Sequence, residues 1–176
     1  SITVQIDTPV IGNYIAAYLR NTTINGHLVT EGPLHLIGHS RGASLVCEIS
    51  KALGERGFWV DQLTTLDPHP ALGDPDVNIY ENVLFADNYW QDGDSPEGTS
   101  IPGAYNRKLL SLDWEGYLSD HSDVHLWYHG TIDLSDNASD GEEIITEYMR
   151  NNWYATLDEM RGSKTGYFYS RHGGGN

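Results

Sequence analysis

With 176 residues the chain is long enough to bury a sizeable core, and its formal net charge of −15 repels phosphate backbones and argues against nucleic acid as a partner. A hydrophobic share of 39% is that of a globular chain rather than a disordered one, and the single Cys47 excludes an internal disulfide. No apolar run approaches the roughly 18 residues of a membrane span.

Residues 1–6 alternate in the manner of a strand. Thr8-Pro9 then reads as an N-cap and first helical residue, with Ile11, Tyr14, Ile15, Tyr18 and Leu19 following at helical spacing. Leu34-His35-Leu36-Ile37 is short, apolar and bounded by Gly-Pro and Gly, which is how a fully buried strand reads. From Ala43 the period returns to that of a helix through Val46, Ile49 and Leu53, closing at Gly57, and Cys47 falls among these as a small buried hydrophobe. Residues 58–66 are strand-like and end at Asp67-Pro68; Val83-Leu84-Phe85-Ala86 is a further short strand ending at Asp87-Asn88. The polar segment 88–106, with Ile101 interspersed, is long enough to be a lid or binding loop, and its aromatics Tyr89, Trp90 and Tyr105 are candidates to line an apolar pocket. A last helix is marked by Asp140 as N-cap with Glu143 completing a capping box, and Ile145, Tyr148, Met149, Trp153 and Leu157 form its stripe. The tail from Tyr167 is Gly-rich and reads as frayed. Strands alternating with helices predict an α/β fold, a mostly parallel sheet flanked by helices, in a single domain over residues 1–176.

Chemistry concentrates at Gly38-His39-Ser40-Arg41-Gly42. Alone, G-x-S-x-G is a common pattern, but here a buried strand runs into it and an amphipathic helix runs out, the setting of a nucleophile elbow. Such a tight turn lifts the Ser40 hydroxyl above the sheet and asks for small residues at Gly38 and Gly42. It also places the free backbone N–H groups of the helix start where an oxyanion develops. The hydroxyl needs a base, and the base needs an orienting carboxylate, in the chain order Ser, acid, His. Asp67 and Asp87 both stand at expected strand ends beyond the elbow, and His121, His125 and His129 lie downstream. His69 is crowded by two prolines and reads as structural.

Residues 34–43 resemble the elbow of the lipase families, where G-H-S-x-G-A is usual. Leu63-Thr64-Thr65-Leu66-Asp67-Pro68 is similar to the segment that holds the triad acid in pancreatic-type lipases, and His121 with Trp127-Tyr128 resembles the spacing around their base. His121 through Thr131 more loosely resembles bacterial lipase-like hydrolases. The resemblance implies an α/β-hydrolase fold with Ser40 as nucleophile, Asp67 as acid, His121 as base and the Arg41 N–H as oxyanion donor; Asp87 and His125 are the alternatives. Only one strand and one helix precede Leu34, so the implied fold is small or N-terminally truncated, and no upstream His-Gly supplies a second oxyanion donor.

The expected activity is hydrolysis of a carboxylic ester, from a small molecule or a lipid, through an acyl-enzyme. Amide or thioester hydrolysis on the same fold and a non-catalytic lipase-like binding module are the alternatives. Asp136, Asp140, Gly141 and Glu147 echo a calcium loop, yet Ala138 fills a ligand position, so neither metal nor other cofactor is expected. No signal-peptide pattern opens the chain. Compartment stays open, a secreted mature form included, as does oligomeric state.

Overall fold

A computed structural model of the chain describes residues 7–110, 112, 116–132, 144–154 and 166–167. The strand expected at 1–6, the acids Asp136, Asp140 and Glu143, Leu157 and nearly all of the tail lie outside them. The chain divides into two compact units, Ser1–Trp90 with Gly98–Lys108, and Gln91–Glu97 with Leu109–Asn176.

In the first unit the order is α1 (Thr8–Asn21), β1 (Thr23–Ile24), β2 (His27–Leu28), a 3-10 turn (Val29–Glu31), β3 (His35–His39), α2 (Arg41–Gly54), β4 (Gln62–Leu66), β5 (Ala86–Trp90) and β6 (Tyr105–Lys108). Strands β3-β4-β5-β6 form one sheet in that order, every pair parallel, with His39, Leu66, Tyr89 and Arg107 in line across its carboxyl-terminal edge. The arrangement is α/β, as the alternation of strands and helices predicts. Val46, Cys47, Ile49 and Leu53 of α2 pack with Leu36, Val60 and Leu63 to form the core. Cys47 is buried there, and desolvation pushes its thiol up to about 12, which makes it a packing residue and not a nucleophile.

Two expectations are corrected in this unit, and one element is added that the sequence reading did not include. First, of the expected α1 stripe Ile15 and Leu19 pack against the core, but the residues buried are Thr8, Gly12 and Ala16, while Tyr14 is 75% and Tyr18 64% exposed. Small residues win this face because α1 and α2 approach closely: a Cβ on Gly12 would lie 2.9 Å from the Glu48 Cβ. The helix also begins one residue earlier than expected, with Asp7 at the N-cap. Second, the strand expected at Val83–Ala86 lies at Ala86–Trp90; Val83 makes only an isolated bridge to Val60, and Leu84 and Phe85 are exposed. Polar Asp87 and Asn88 occupy the interior of this strand because side chains of neighbouring strands satisfy them. The segment read as one loop over 88–106 is therefore two strand ends joined by residues 91–104. The added element is the hairpin of β1 and β2, turned by Asn25 (φ 53°) and Gly26 (φ 83°), the Asn-Gly pair that favours positive φ at both turn positions.

The second unit contains α3 (Asp120–Gly130) and α4 (Glu147–Asn152). Residues 144–146 are not helical, so the last helix does not run from Asp140; it starts after Thr146, whose hydroxyl accepts the Met149 N–H. Of the expected stripe, Ile145, Met149 and Trp153 are buried and Tyr148 is exposed. Trp127 stacks on Tyr154 at 6.0 Å between centroids, and the Tyr154 hydroxyl donates to the Trp127 carbonyl at 2.9 Å. Among the described residues no helix is long and apolar enough to cross a membrane, and no group of three or more His, Cys, Asp or Glu is arranged to hold a metal ion.

Candidate active site

Ser40 joins β3 to α2 directly, with φ 56° and ψ −123°. That region is sparsely populated for a residue with a Cβ and costs about 1–3 kcal/mol, so the surroundings must impose it. They do so through the backbone. The Ser40 N–H donates to the Leu66 carbonyl at 2.8 Å, extending the β3–β4 ladder by one residue, while its carbonyl accepts the Ala43 N–H at 3.0 Å and starts the helix. Gly38 makes the turn tight enough: a Cβ there would run into the Gly42 carbonyl, 2.5 Å from its carbon and 2.9 Å from the Ala43 nitrogen. Gly42, expected to be needed for the same reason, is not, because a Cβ there meets nothing within 4 Å. The strand–turn–helix context expected around Ser40 is present, but β3 is not the fully buried strand expected, since Ile37 is 42% exposed; the Ser40 side chain makes no capping bond to α2.

Asp67 follows β4, the strand beside the elbow, and is 0% exposed. Its φ of 43° turns the chain sharply at the sheet edge while its N–H donates to the Tyr89 carbonyl at 2.7 Å. Two residues on, the His69 N–H donates to the Ser40 carbonyl at 3.3 Å, tying the acid-bearing turn to the elbow. Within this unit Ser40 and Asp67 thus leave adjacent parallel strands at one edge.

Arg41 has a role in its side chain that the sequence did not reveal. Its Nε and Nη2 donate to the two carboxylate oxygens of Asp74, whose side chain is 1% exposed, at 2.5 and 3.0 Å, a bidentate pair. Asp74 also accepts the N–H groups of Thr8 and Ala71, each at 3.3 Å, and Ser44 donates to the Pro75 carbonyl at 2.8 Å. The guanidinium holds the Asp74 carboxyl down at about 2, so the pair stays ionised across the neutral range. Segment 71–75 is fastened in this way over the first turn of α2, next to the nucleophile turn.

Asp87 stands elsewhere than expected. It lies inside β5, paired with Thr64 in mid-sheet rather than at a strand end. Its carboxylate accepts from the Thr64 hydroxyl at 2.5 Å, from the Tyr89 hydroxyl at 2.9 Å and from the Gln62 amide at 3.3 Å. Burial outweighs these donors and raises its titration point. His35 Nε2 is 2.8 Å from the Thr64 oxygen on the same network. Tyr89, one of the aromatics expected to line a pocket, is buried and committed to Asp87.

His121 belongs to the second unit, where it is the second residue of α3 and buried. Ser119 caps the helix by accepting the Ser122 N–H at 3.3 Å. Asp123 fixes the preceding turn by accepting the N–H groups of Tyr117 at 2.6 Å and Gly116 at 3.3 Å, and burial raises its carboxyl. His125, one turn further along α3, packs its ring on Tyr117 with centroids 5.1 Å apart.

A cavity of 640 Å³ lined by Phe58, Trp59, Ile79, Tyr80 and Asn82 opens at the amino-terminal end of β4 and β5, the opposite edge from Ser40. No protein-family model matches the chain, and no solved structure matches it. A curated protein is similar over part of its length: the N-(5-amino-5-carboxypentanoyl)-L-cysteinyl-D-valine synthase of Amycolatopsis lactamdurans is 28% identical over 116 residues, which take in 61% of this chain. The chain spans only 3% of that synthase, and a likeness of this extent assigns neither family nor activity.

Proposed function

We propose that the protein is a serine hydrolase of the α/β-hydrolase, lipase-like kind that cleaves carboxylic esters, of small molecules or lipids, through an acyl-enzyme. The observation that carries the reading is the backbone of Ser40, held at φ 56° between a parallel strand and a helix with Gly38 packed on the first helical turn. Asp67 supports it as a fully buried carboxylate at the end of the adjacent strand.

In this reading His121 removes the Ser40 proton as Oγ attacks the ester carbonyl, and Asp67 orients the imidazole and stabilises the imidazolium. The Arg41 N–H, at the start of α2, stabilises the oxyanion. His121 then gives its proton to the departing alcohol, and water releases the acid by the same steps in reverse order. The test is labelling with a fluorophosphonate, which phosphonylates an activated serine. Wild type is expected to label at Ser40, and Ser40→Ala is expected not to label and to lose ester hydrolysis by several orders of magnitude, with its circular dichroism unchanged. Absence of labelling in the folded wild type, or an Ser40→Ala variant with the wild-type rate, refutes the reading and leaves a non-catalytic binding module. Rates on matched ester, thioester and amide substrates decide the leaving group.

A further inference from the structure

The Asp67 carboxylate is covered by a backbone segment that two side-chain amides, buried Asn88 and exposed Asn106, hold in place. A Cβ on Gly98 would collide with Asp67 Oδ1 and come within 2.9 Å of its Cγ, so only glycine allows the chain to pass there. Segment 98–104 is fixed from β5 and β6. Asn88 Nδ2 donates to the Thr99 carbonyl at 2.9 Å and to Asn106 Oδ1 at 2.8 Å, while Asn88 Oδ1 accepts the Thr65 hydroxyl at 2.8 Å. Asn106 Oδ1 also accepts the Ile101 N–H at 2.8 Å, and its Nδ2 donates to the carbonyls of Ile101 and Ala104, both at 2.9 Å. Thr65 stands two residues before Asp67 on β4, so the chain of bonds leaves the acid's own strand, crosses the sheet and returns to the acid through Gly98.

An arrangement of six bonds that spends both amides on main-chain and cross-strand partners does more than close a surface turn. We propose that Asn88 and Asn106 are positioning residues for the Asp67 carboxylate, holding segment 98–104 so that Gly98 closes over it and restricts it to one orientation. The proposal rests on the reading of Asp67 as the triad acid. A displacement of about 1 Å in a reacting constellation costs on the order of 100-fold in rate, so the effect falls on kcat.

The experiment measures kcat, KM and thermal stability for Gly98→Ala, Asn88→Ala and Asp67→Asn, and for each of the first two combined with the third. Asp67→Asn is expected to lose about 10⁴-fold in kcat. Gly98→Ala and Asn88→Ala are expected to lose roughly 10- to 100-fold with KM changed by less than about twofold. In the Asp67→Asn background neither is expected to matter further, because each acts through that carboxylate. Wild-type kcat in Gly98→Ala and Asn88→Ala beside an inactive Asp67→Asn overturns the positioning role and leaves the triad standing. Losses that persist in full in the Asp67→Asn background overturn it as well. An active Asp67→Asn removes the triad acid and the proposal together. If Asn88→Ala does not fold, Gly98→Ala decides, since it deletes no hydrogen-bonding side chain.

Discussion

Replacing Gly38 by Ala adds a single methyl group at the tightest point of the elbow. That methyl would lie 2.5 Å from the Gly42 carbonyl carbon and 2.9 Å from the Ala43 nitrogen, all of it main chain in the first turn of α2. Carbon atoms rest at roughly 3.5–4.0 Å, so β3 and α2 must separate by about 1 Å at this point. Neither element yields easily. The strand end is bonded to β4 through the Ser40 N–H, and α2 carries the core residues Val46, Ile49 and Leu53. Overpacking of this kind costs about 1–3 kcal/mol. For a chain of this length each kcal/mol lowers the melting temperature by about 2–4 °C, giving an expected fall of roughly 2–12 °C. Gly42→Ala is the control. It lies one helical position past Arg41, a Cβ there meets nothing within 4 Å, and Ala is about 0.5–1 kcal/mol better than Gly inside a helix. Its melting temperature is expected to equal or exceed that of wild type. Thermal unfolding followed by circular dichroism measures both, and ester turnover follows the same order because Gly38→Ala displaces Ser40. Equal melting temperatures for the two variants, or a loss in Gly42→Ala as large as in Gly38→Ala, would refute the packing argument.

The remaining predictions concern charge. Asp74 titrates at about 2 in the fold against an ordinary value of 3.8, so the stability it contributes is fully present above that ordinary value and disappears as pH falls toward 2. Asp74→Asn is expected to melt lower at pH 7 and to lose less on acidification to pH 3 than wild type; a variant with the wild-type acid response refutes this assignment of the Arg41–Asp74 pair. Burial raises the Asp87 titration point, so its contribution has the opposite sign and is lost as pH rises through the folded value. Asp87→Asn is therefore expected to melt at or above wild type at pH 8 and to keep its ester activity. Turning the Gln62 amide would bring its Oε1, buried with no hydrogen-bond partner among the described residues, to the new amide group. An inactive but folded Asp87→Asn would return the acid's role to that residue. His121→Ala is expected to abolish ester turnover and His125→Ala to retain most of it, as its ring packs on Tyr117; a reversed result in steady-state assays moves the base one helical turn along α3.

Several parts of this protein were legible in the sequence because they depend on near neighbours. The elbow is one. An apolar run, Gly38 two residues before Ser40 and a helix-period stripe are contiguous, and the backbone they require is local. The strand before Asp67 is another at its carboxyl end, with all five residues of β4 buried, although it starts at Gln62 rather than at Phe58. Period alone misled at α1, where Tyr14 and Tyr18 sit at apolar spacing yet face outward, since the distance between two helices is set by the small residues Gly12 and Ala16 between them. It misled again at β5. Asp87 and Asn88 carry no hydrophobic signal, and their burial depends on Gln62, Thr64 and Thr65, from 23 to 25 residues earlier in the chain. The partner of Arg41 is 33 residues away at Asp74, and the clamp over Asp67 joins residues from three strands. A buried polar group is permitted only by the partner that satisfies it. Where that partner is distant in sequence, only the tertiary structure decides that the group is inside.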